Sequence, residues 1–123
     1  MGAEAVDTIW AAQIGPALAE ADAARLLGRS PQAISTDPRL LRIVDRTERH
    51  LYPVVQFDDG KQLSGVGDAV VLLSRSLLPL TIASWLTAPN RALANRTPVR
   101  ALLAGDADAV CVLASRLVST TSH

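Results

Sequence analysis

The stretch from Trp85 to Asp106 constrains the fold of this chain more than any other, because prolines and a glycine divide it into short segments. Pro89 and Pro98 each restrict the residue before them, and each suits the first turn of a helix. Gly105 then supplies a helix stop. The stretch is therefore predicted to hold two short helices whose ends are fixed by the sequence.

Composition favours a mainly α fold. Nearly half of the 123 residues are apolar, but alanine and leucine supply most of them and aromatic residues make up only 3%. This balance favours packed helices over a large sheet. The length suits one compact unit or two very small ones, and we predict two: residues 1–64 and residues 65–123.

The charges exclude a global attraction to nucleic acid or to an anionic membrane, since twelve basic and twelve acidic residues cancel. Cys111 is the only cysteine, which rules out an intramolecular disulfide. Glu4 and Asp7 stand where a signal peptide would carry basic residues, and the apolar run from Leu77 to Leu86 is too short to span a bilayer. We expect a cytoplasmic protein that does not enter a membrane.

The N-terminal half contains a spacing typical of a helix-turn-helix. Ala3 to Ile14 has helical composition, and a second helix is predicted from Pro16 to Leu27. Within this second helix, the small residue Ala24 allows another helix to approach closely. Gly28 then suits a left-handed turn, and Ile34 can pack the next helix against the second one.

Residues near the start of that next helix are candidates for DNA contact. Ser30 is a good N-cap before a proline, and Arg29 and Gln32 lie beside it, where side chains can meet phosphates or base edges. Pro38 limits the helix to about six residues, roughly 9 Å, which is short for reading a major groove. Direct base readout is therefore doubtful on sequence grounds.

A β-hairpin wing is predicted after the helices, from Leu41–Val44 into Leu51–Phe57. Pro53 cannot donate to a ladder, so we expect its strand at an edge. Between Arg25 and His50 lie six arginines against three acids. This excess adds Arg42 and Arg46 to the DNA-binding candidates. The alternative is that this region is a structural scaffold of helices with a hairpin, and that its arginines are exposed to solvent without a binding role.

The C-terminal half is predicted to be helical throughout. Val66, Val70, Leu73 and Leu77 step along one helix face until Pro79 restarts the helix. This helix and the next are apolar on more than one side, which predicts a buried central hairpin or, alternatively, a homodimer seam. A last helix is predicted from Ala107 to Val118, followed by a polar tail.

The C-terminal pattern resembles the antitoxin Xre/MbcA/ParS-like toxin-binding domain. Members of that family tend to carry a Trp-Leu pair, a Pro-Asn, a Pro that begins the next helix, a Leu-Leu and a Gly. The corresponding residues here are Trp85-Leu86, Pro89-Asn90, Pro98, Leu102-Leu103 and Gly105. The run from Leu27 to Ile34, together with Tyr52-Pro53 and Gln56-Phe57, is similar to the upstream half of some of these proteins.

The resemblance implies an antitoxin of a type II toxin-antitoxin system, which binds a RES-domain toxin that consumes NAD, or a ParT-like toxin. Such an antitoxin blocks the toxin's active-site cleft sterically with its C-terminal end, and it can also repress its own operon. The toxin-binding residues implied here are Arg116, Leu117, Ser119, Thr120, Thr121, Ser122 and His123. Without the resemblance, the same tail is simply a disordered terminus.

Catalytic, cofactor and metal motifs are missing from the sequence. With two histidines, one cysteine and no zinc-protease, dinucleotide or Walker pattern, we predict no enzyme, no cofactor and no metal site. Asp58-Asp59-Gly60 is foremost a turn, and the Gly65 to Asp68 stretch lacks the lysine of a phosphate loop. The competing interpretations are a stand-alone winged helical DNA-binding transcriptional regulator and an orphan scaffold.

Overall fold

The computed structural model describes residues 15–121, so the helix predicted from Ala3 to Ile14 lies outside the described residues, as do Ser122 and His123. Within that range the protein is mainly helical, as predicted, with two small sheets. The elements in chain order are β1 (Ala17–Ala19), α1 (Glu20–Leu27), α2 (Pro31–Ser35), β2 (Ile43–Val44), β3 (His50–Pro53), a 3-10 turn (Val54–Gln56), β4 (Phe57–Asp58), β5 (Lys61–Gln62), α3 (Val66–Leu73), α4 (Pro79–Thr87), a second 3-10 turn (Arg91–Leu93), α5 (Pro98–Leu103) and α6 (Ala107–Thr121).

The helix predicted from Pro16 begins only at Glu20, because Ala17–Ala19 form β1 instead. This strand pairs antiparallel with β3, with Leu18 opposite Tyr52. Alanine and leucine favour helix on their own, but the pairing with β3 satisfies the backbone groups, and Leu18 packs against a buried cluster. Tertiary contacts therefore override local propensity here.

The expectation of an edge position for the Pro53 strand was wrong. The three-stranded sheet has the order β1-β3-β2, so β3 is its central strand. Pro53 is nevertheless the last residue of β3, and β2 reaches only as far as Leu51. Because β1 alone flanks Pro53, its missing N–H costs no hydrogen bond to β2.

The second sheet is the short hairpin β4-β5, which confirms a turn at Asp59-Gly60. Asp58 pairs with Lys61, and the two residues between them both have positive φ, 54° and 77°. Two central residues with positive φ are what a tight two-residue hairpin requires. Asp58 and Asp59 therefore belong to a hairpin turn.

The buried side chains form two clusters. The smaller cluster comprises Ala23, Ala24, Ile34, Leu40 and Tyr52. The larger cluster comprises Leu41, Leu63, Val66, Ala69, Val70, Leu73, Ile82, Ala83, Leu86, Leu93, Ala101, Leu102, Val110, Ala114 and Val118. Residues 40 and 41 are adjacent in sequence but belong to different clusters, so the chain passes between the two cores within one residue.

Gln56 is the buried polar residue at this crossing, and its side chain is 0% exposed. Its Oε1 accepts a hydrogen bond from the Leu41 N–H at 2.8 Å. Its Nε2 donates to the Leu41 carbonyl at 2.8 Å and to the Pro53 carbonyl at 3.1 Å. The amide therefore ties the loop after α2 to the end of β3.

The larger cluster is built mainly by the four C-terminal helices. The predicted α3 face is confirmed for Val66, Val70 and Leu73, which are buried. The helix ends at Leu73, however, so the half-buried Leu77 lies beyond it rather than on its face. The N-cap of α3 is Gly65, where an added Cβ would lie 2.7 Å from the Leu102 side chain and 3.0 Å from that of Ala107. Gly65 therefore permits α3 to approach the α5–α6 connection closely.

Candidate functional site

The sequence pattern from Trp85 to Gly105 forms the segment that connects α4, α5 and α6. Trp85 packs, partly buried, against the larger cluster, and Leu86 is fully buried. The Asn90 side chain accepts a hydrogen bond from the Ala92 N–H at 3.0 Å and so caps the second 3-10 turn. Most residues of the pattern therefore have a structural role in this segment.

Helix α5 begins and ends where the sequence predicts. The Thr97 hydroxyl caps it by accepting from the Arg100 N–H at 3.1 Å, and Pro98 is buried in its first turn. Gly105 follows the helix with φ +89°. Of the Leu-Leu pair, Leu102 is buried, whereas Leu103 is 55% exposed and is available to a partner.

Helix α6 is longer than predicted. It runs from Ala107 to Thr121, so Ser119, Thr120 and Thr121 belong to its last turn rather than to a disordered tail. Val110, Ala114 and Val118 recur at four-residue intervals and are buried, so the helix remains packed on the core almost to its end. Packing at Val118 explains why the polar residues after it stay helical.

One face of α6 is exposed along its length. Val112, Ser115, Arg116 and Ser119 follow the spacing of a single helix face, and Val112 is 48% exposed. We call these four residues the α6 outer face. It contains two of the implied toxin-binding residues, Arg116 and Ser119. Leu117, which was also implied, is instead half-buried against the larger cluster.

Cys111 lies beside this face and is half-buried. Burial raises the pKa of its thiol, and the negative charges of Asp68 and Asp108 act in the same direction. The thiol is therefore a weak nucleophile in this setting. Cys111 gives no support to a reactive site.

The DNA-binding candidates lie around the connection between α1 and α2. Gly28 ends α1 in the left-handed conformation, and the Ser30 hydroxyl caps α2 by accepting from the Ala33 N–H at 3.1 Å. Ile34 is fully buried in the smaller cluster, as its spacing predicts. Helix α2 has five residues, close to the six that Pro38 allows.

Three of the five DNA-binding candidates are engaged within the fold. Arg29 pairs with Asp37 at 2.8 Å, and Arg42 donates to the Ser35 carbonyl. Burial is the largest single effect on Asp37 and opposes its ionisation. The hydrogen bonds from the Arg29 side chain and the Arg39 N–H, with the charges of both arginines, together outweigh burial and hold the pKa of Asp37 below its ordinary value. The Ser30 hydroxyl caps α2. Of the five candidates, Gln32 and Arg46 are therefore the two that are exposed and whose side chains have no such role within the fold.

A cleft that sequence reasoning did not predict lies where β3 meets the start of α1. Its volume is about 270 Å³, and its lining includes Glu20 and His50. Glu20 Oε1 lies 2.8 Å from His50 Nδ1 and accepts from the Tyr52 hydroxyl at 2.9 Å. The His50 hydrogen bond lowers the pKa of Glu20, whereas burial raises the pKa of Tyr52 to about 12. The cluster therefore holds one ionised carboxylate and a neutral phenol at neutral pH.

Within residues 15–121, no group of three or more histidine, cysteine or acidic side chains could hold a metal ion. Among the described helices, none is long and apolar enough to cross a membrane. No protein-family model matches the chain, and searches among curated proteins and solved structures likewise found no match.

Proposed function

We propose that this protein is the antitoxin of a type II toxin-antitoxin pair, a binding protein rather than an enzyme. Its partner would be a RES-type toxin that consumes NAD, or a ParT-like toxin, encoded next to it. The observation that carries this proposal is the α6 outer face, which ends at the C-terminal residues implicated by the resemblance. The antitoxin would act by covering the toxin's active-site cleft.

The geometry of α6 suits this role for an energetic reason. A helix already packed on the core through Val118 loses less conformational freedom on binding than a disordered tail would. Val112 offers an apolar anchor, while Ser115 and Ser119 are small enough for close approach. Residues 119–123 would then enter the cleft from a fixed direction.

The first test is co-expression with the protein encoded by the neighbouring reading frame. We expect that protein to arrest growth alone, growth to recover with this chain, and the two to elute as one complex from size exclusion. The same column reports whether the chain alone is a homodimer. A neighbour that is harmless and never co-elutes would remove the antitoxin proposal.

The α6 outer face can be tested with a matched pair of variants. Ser115→Arg with Ser119→Arg places two bulky cations on that face and should abolish rescue and complex formation. Thr81→Arg, at an exposed position of α4, is the control and should leave both unchanged. Equal behaviour of the two variants would show that the partner does not bind α6 through this face.

Removal of the last five residues separates the inhibitory end from the rest of the interface. Since Val118 is the last member of the larger cluster among the described side chains, a chain that stops there keeps every described member of that cluster. We expect its melting temperature to stay within a few degrees of the full chain, while neutralisation falls. Unchanged neutralisation would assign inhibition to the helices alone.

Autorepression of the operon is a second candidate function, favoured by the arrangement of α1 and α2. We propose that these helices form a helix-turn-helix with the β2-β3 hairpin as its wing, given the left-handed Gly28 and the buried Ile34. Because α2 is short, phosphate contacts would dominate over base readout. The same arrangement underlies the alternative of a stand-alone transcriptional regulator.

The exposed pair Gln32 and Arg46 gives the cleanest test of operator binding. Replacing both with alanine should weaken binding to the upstream DNA, and Arg46→Ala alone should lower its salt dependence. Arg29→Ala and Arg42→Ala are less informative, because those side chains hold the fold. An unaltered salt slope in Arg46→Ala would exclude a phosphate contact by that residue.

A further inference from the structure

The C-terminal half of this chain contains a long stretch with basic residues and no acidic ones. Residues 69–105 contain four arginines and no aspartate or glutamate. By contrast, the six arginines between residues 25 and 50 face three acids. Arg29 and Arg49 pair with acids of that region, and Arg25 pairs with Asp22 just before it. The acid-free stretch therefore has the greater local excess of positive charge.

Two of its arginines, Arg91 and Arg100, lie on either side of the turn that the Asn90–Arg96 bridge closes between α4 and α5. The Asn90 N–H donates to the Arg96 carbonyl at 3.0 Å, which joins the segment carrying Arg91 to the segment that leads into α5 and Arg100. Arg96 is occupied internally, since it donates to the Leu93 carbonyl at 3.0 Å and pairs with Asp106 at 2.8 Å. It therefore braces the turn.

Arg91 and Arg100 are different from Arg96. Both are exposed, and neither side chain forms a hydrogen bond or ion pair with any other residue between 15 and 121. Leu103, 55% exposed, follows Arg100 by three residues and so lies on the same side of α5. We call Arg91, Arg100 and Leu103 the α5 basic surface.

The connection between these residues is also conformationally costly. Ala94 and Asn95 both adopt positive φ, 58° and 66°. An alanine in this region costs about 1–2 kcal/mol. Backbone strain of this kind persists only where surrounding contacts impose it, and it is found preferentially at functional positions. The turn thus holds the α5 basic surface in one shape.

We propose that the α5 basic surface binds an acidic protein segment, in which carboxylates flank an apolar side chain. Two guanidinium groups can each take a carboxylate in two parallel hydrogen bonds, and an exposed leucine gains from contact with an apolar side chain. A nucleic-acid backbone would satisfy the arginines but would leave the leucine without an apolar partner. The surface is distinct from the α6 outer face, so this proposal does not depend on the antitoxin proposal.

Titration of the full-length, isotope-labelled protein by NMR tests the proposal directly. The probes are a 15-residue peptide of alternating glutamate and leucine pairs and a 15-base-pair DNA duplex. We expect the peptide to shift the backbone signals of Arg91, Arg100 and Leu103. Arg91→Glu with Arg100→Glu should weaken peptide binding about tenfold or more, because like charges then face each other.

Two controls distinguish the α5 basic surface from general attraction. Arg75→Glu changes an exposed arginine of the same acid-free stretch in the connection between α3 and α4, and it should leave peptide affinity nearly unchanged. Leu103→Ser should weaken peptide binding and leave DNA binding as it was. The proposal is overturned if the peptide causes no shifts at this surface, if DNA binds there more tightly, or if Arg75→Glu weakens peptide binding as much as the double variant.

Discussion

Replacing Gln56 with leucine should destabilise this protein severely, although the two side chains have similar size. The Gln56 amide makes three hydrogen bonds of 2.8–3.1 Å to buried backbone groups: the N–H and carbonyl of Leu41 and the carbonyl of Pro53. Each buried group left without a partner costs about 1–3 kcal/mol. Some relaxation and the added apolar contact offset part of this, so we expect a loss of about 3–5 kcal/mol.

Thermal and urea unfolding measure that loss. For a chain of this length, about 4 °C of melting temperature corresponds to each kcal/mol, so Gln56→Leu should melt about 12–20 °C lower. Gln32→Leu is the matched control, since Gln32 is exposed and its side chain makes no hydrogen bond with another residue of the described range 15–121. It should cost less than about 1 kcal/mol. Similar unfolding of both variants would refute the view that burial makes the Gln56 hydrogen bonds decisive.

Three further predictions concern backbone strain and pH. Ala94→Gly should stabilise the protein by about 0.5 kcal/mol, because relief of strain exceeds the cost of glycine flexibility, and urea unfolding showing a clear loss would contradict this. Gly65→Ala should cost more than Gly105→Ala in the same assay, since an added Cβ at Gly65 meets side chains at 2.7 and 3.0 Å and one at Gly105 meets nothing within 4 Å. Glu20 has a lowered pKa because of its His50 hydrogen bond, so its contribution to stability is present above about pH 4.3 and is lost as pH falls through the lowered value. Unfolding of Glu20→Gln across pH 3–6 should therefore depend less on pH than that of the natural chain, and identical profiles would contradict the assignment.

Helix ends that carry a capping side chain or a terminal glycine were predictable, because single residues determine them, whereas the start of α1 and the end of α6 were not. Ser30 before Pro31 and Thr97 before Pro98 both cap helices, and Gly28 and Gly105 both end them in left-handed conformations. These effects act within four residues, so they are visible in a sequence. The apolar face of α3 was predictable for a similar reason.

Long-range pairing was not predictable in the same way. Nothing local distinguishes Ala17–Ala19 from the helix that follows, and only the pairing with β3 makes it a strand. The end of α6 was underestimated because Ser119–Thr121 are polar, whereas the packing of Val118 on the distant α3–α5 side of the core holds them in the helix.

The candidate surfaces were predictable only in part. The resemblance pointed to the C-terminal end, but the exposure of Val112 and Leu103 follows from helix packing and could not be inferred from their neighbours. Arg29 and Arg42 were selected for charge, yet folding gives them partners within the chain. The acid-free stretch is visible in the sequence, but its arginines are widely spaced, and only folding places Arg91 and Arg100 on either side of one turn.

The position of Leu40 and Leu41 in different clusters has a consequence for how the length of this chain can vary. A residue inserted or deleted between them would change their spacing, so that one of the two leucines would have to leave its buried cluster. The loop at 45–49, which joins β2 to β3 on the surface, is held by local hydrogen bonds to the Asp45 carboxylate and contributes no side chain to either buried cluster. Among functional relatives of this protein, length differences should therefore accumulate in that loop, while the spacing across residues 40 and 41 stays fixed.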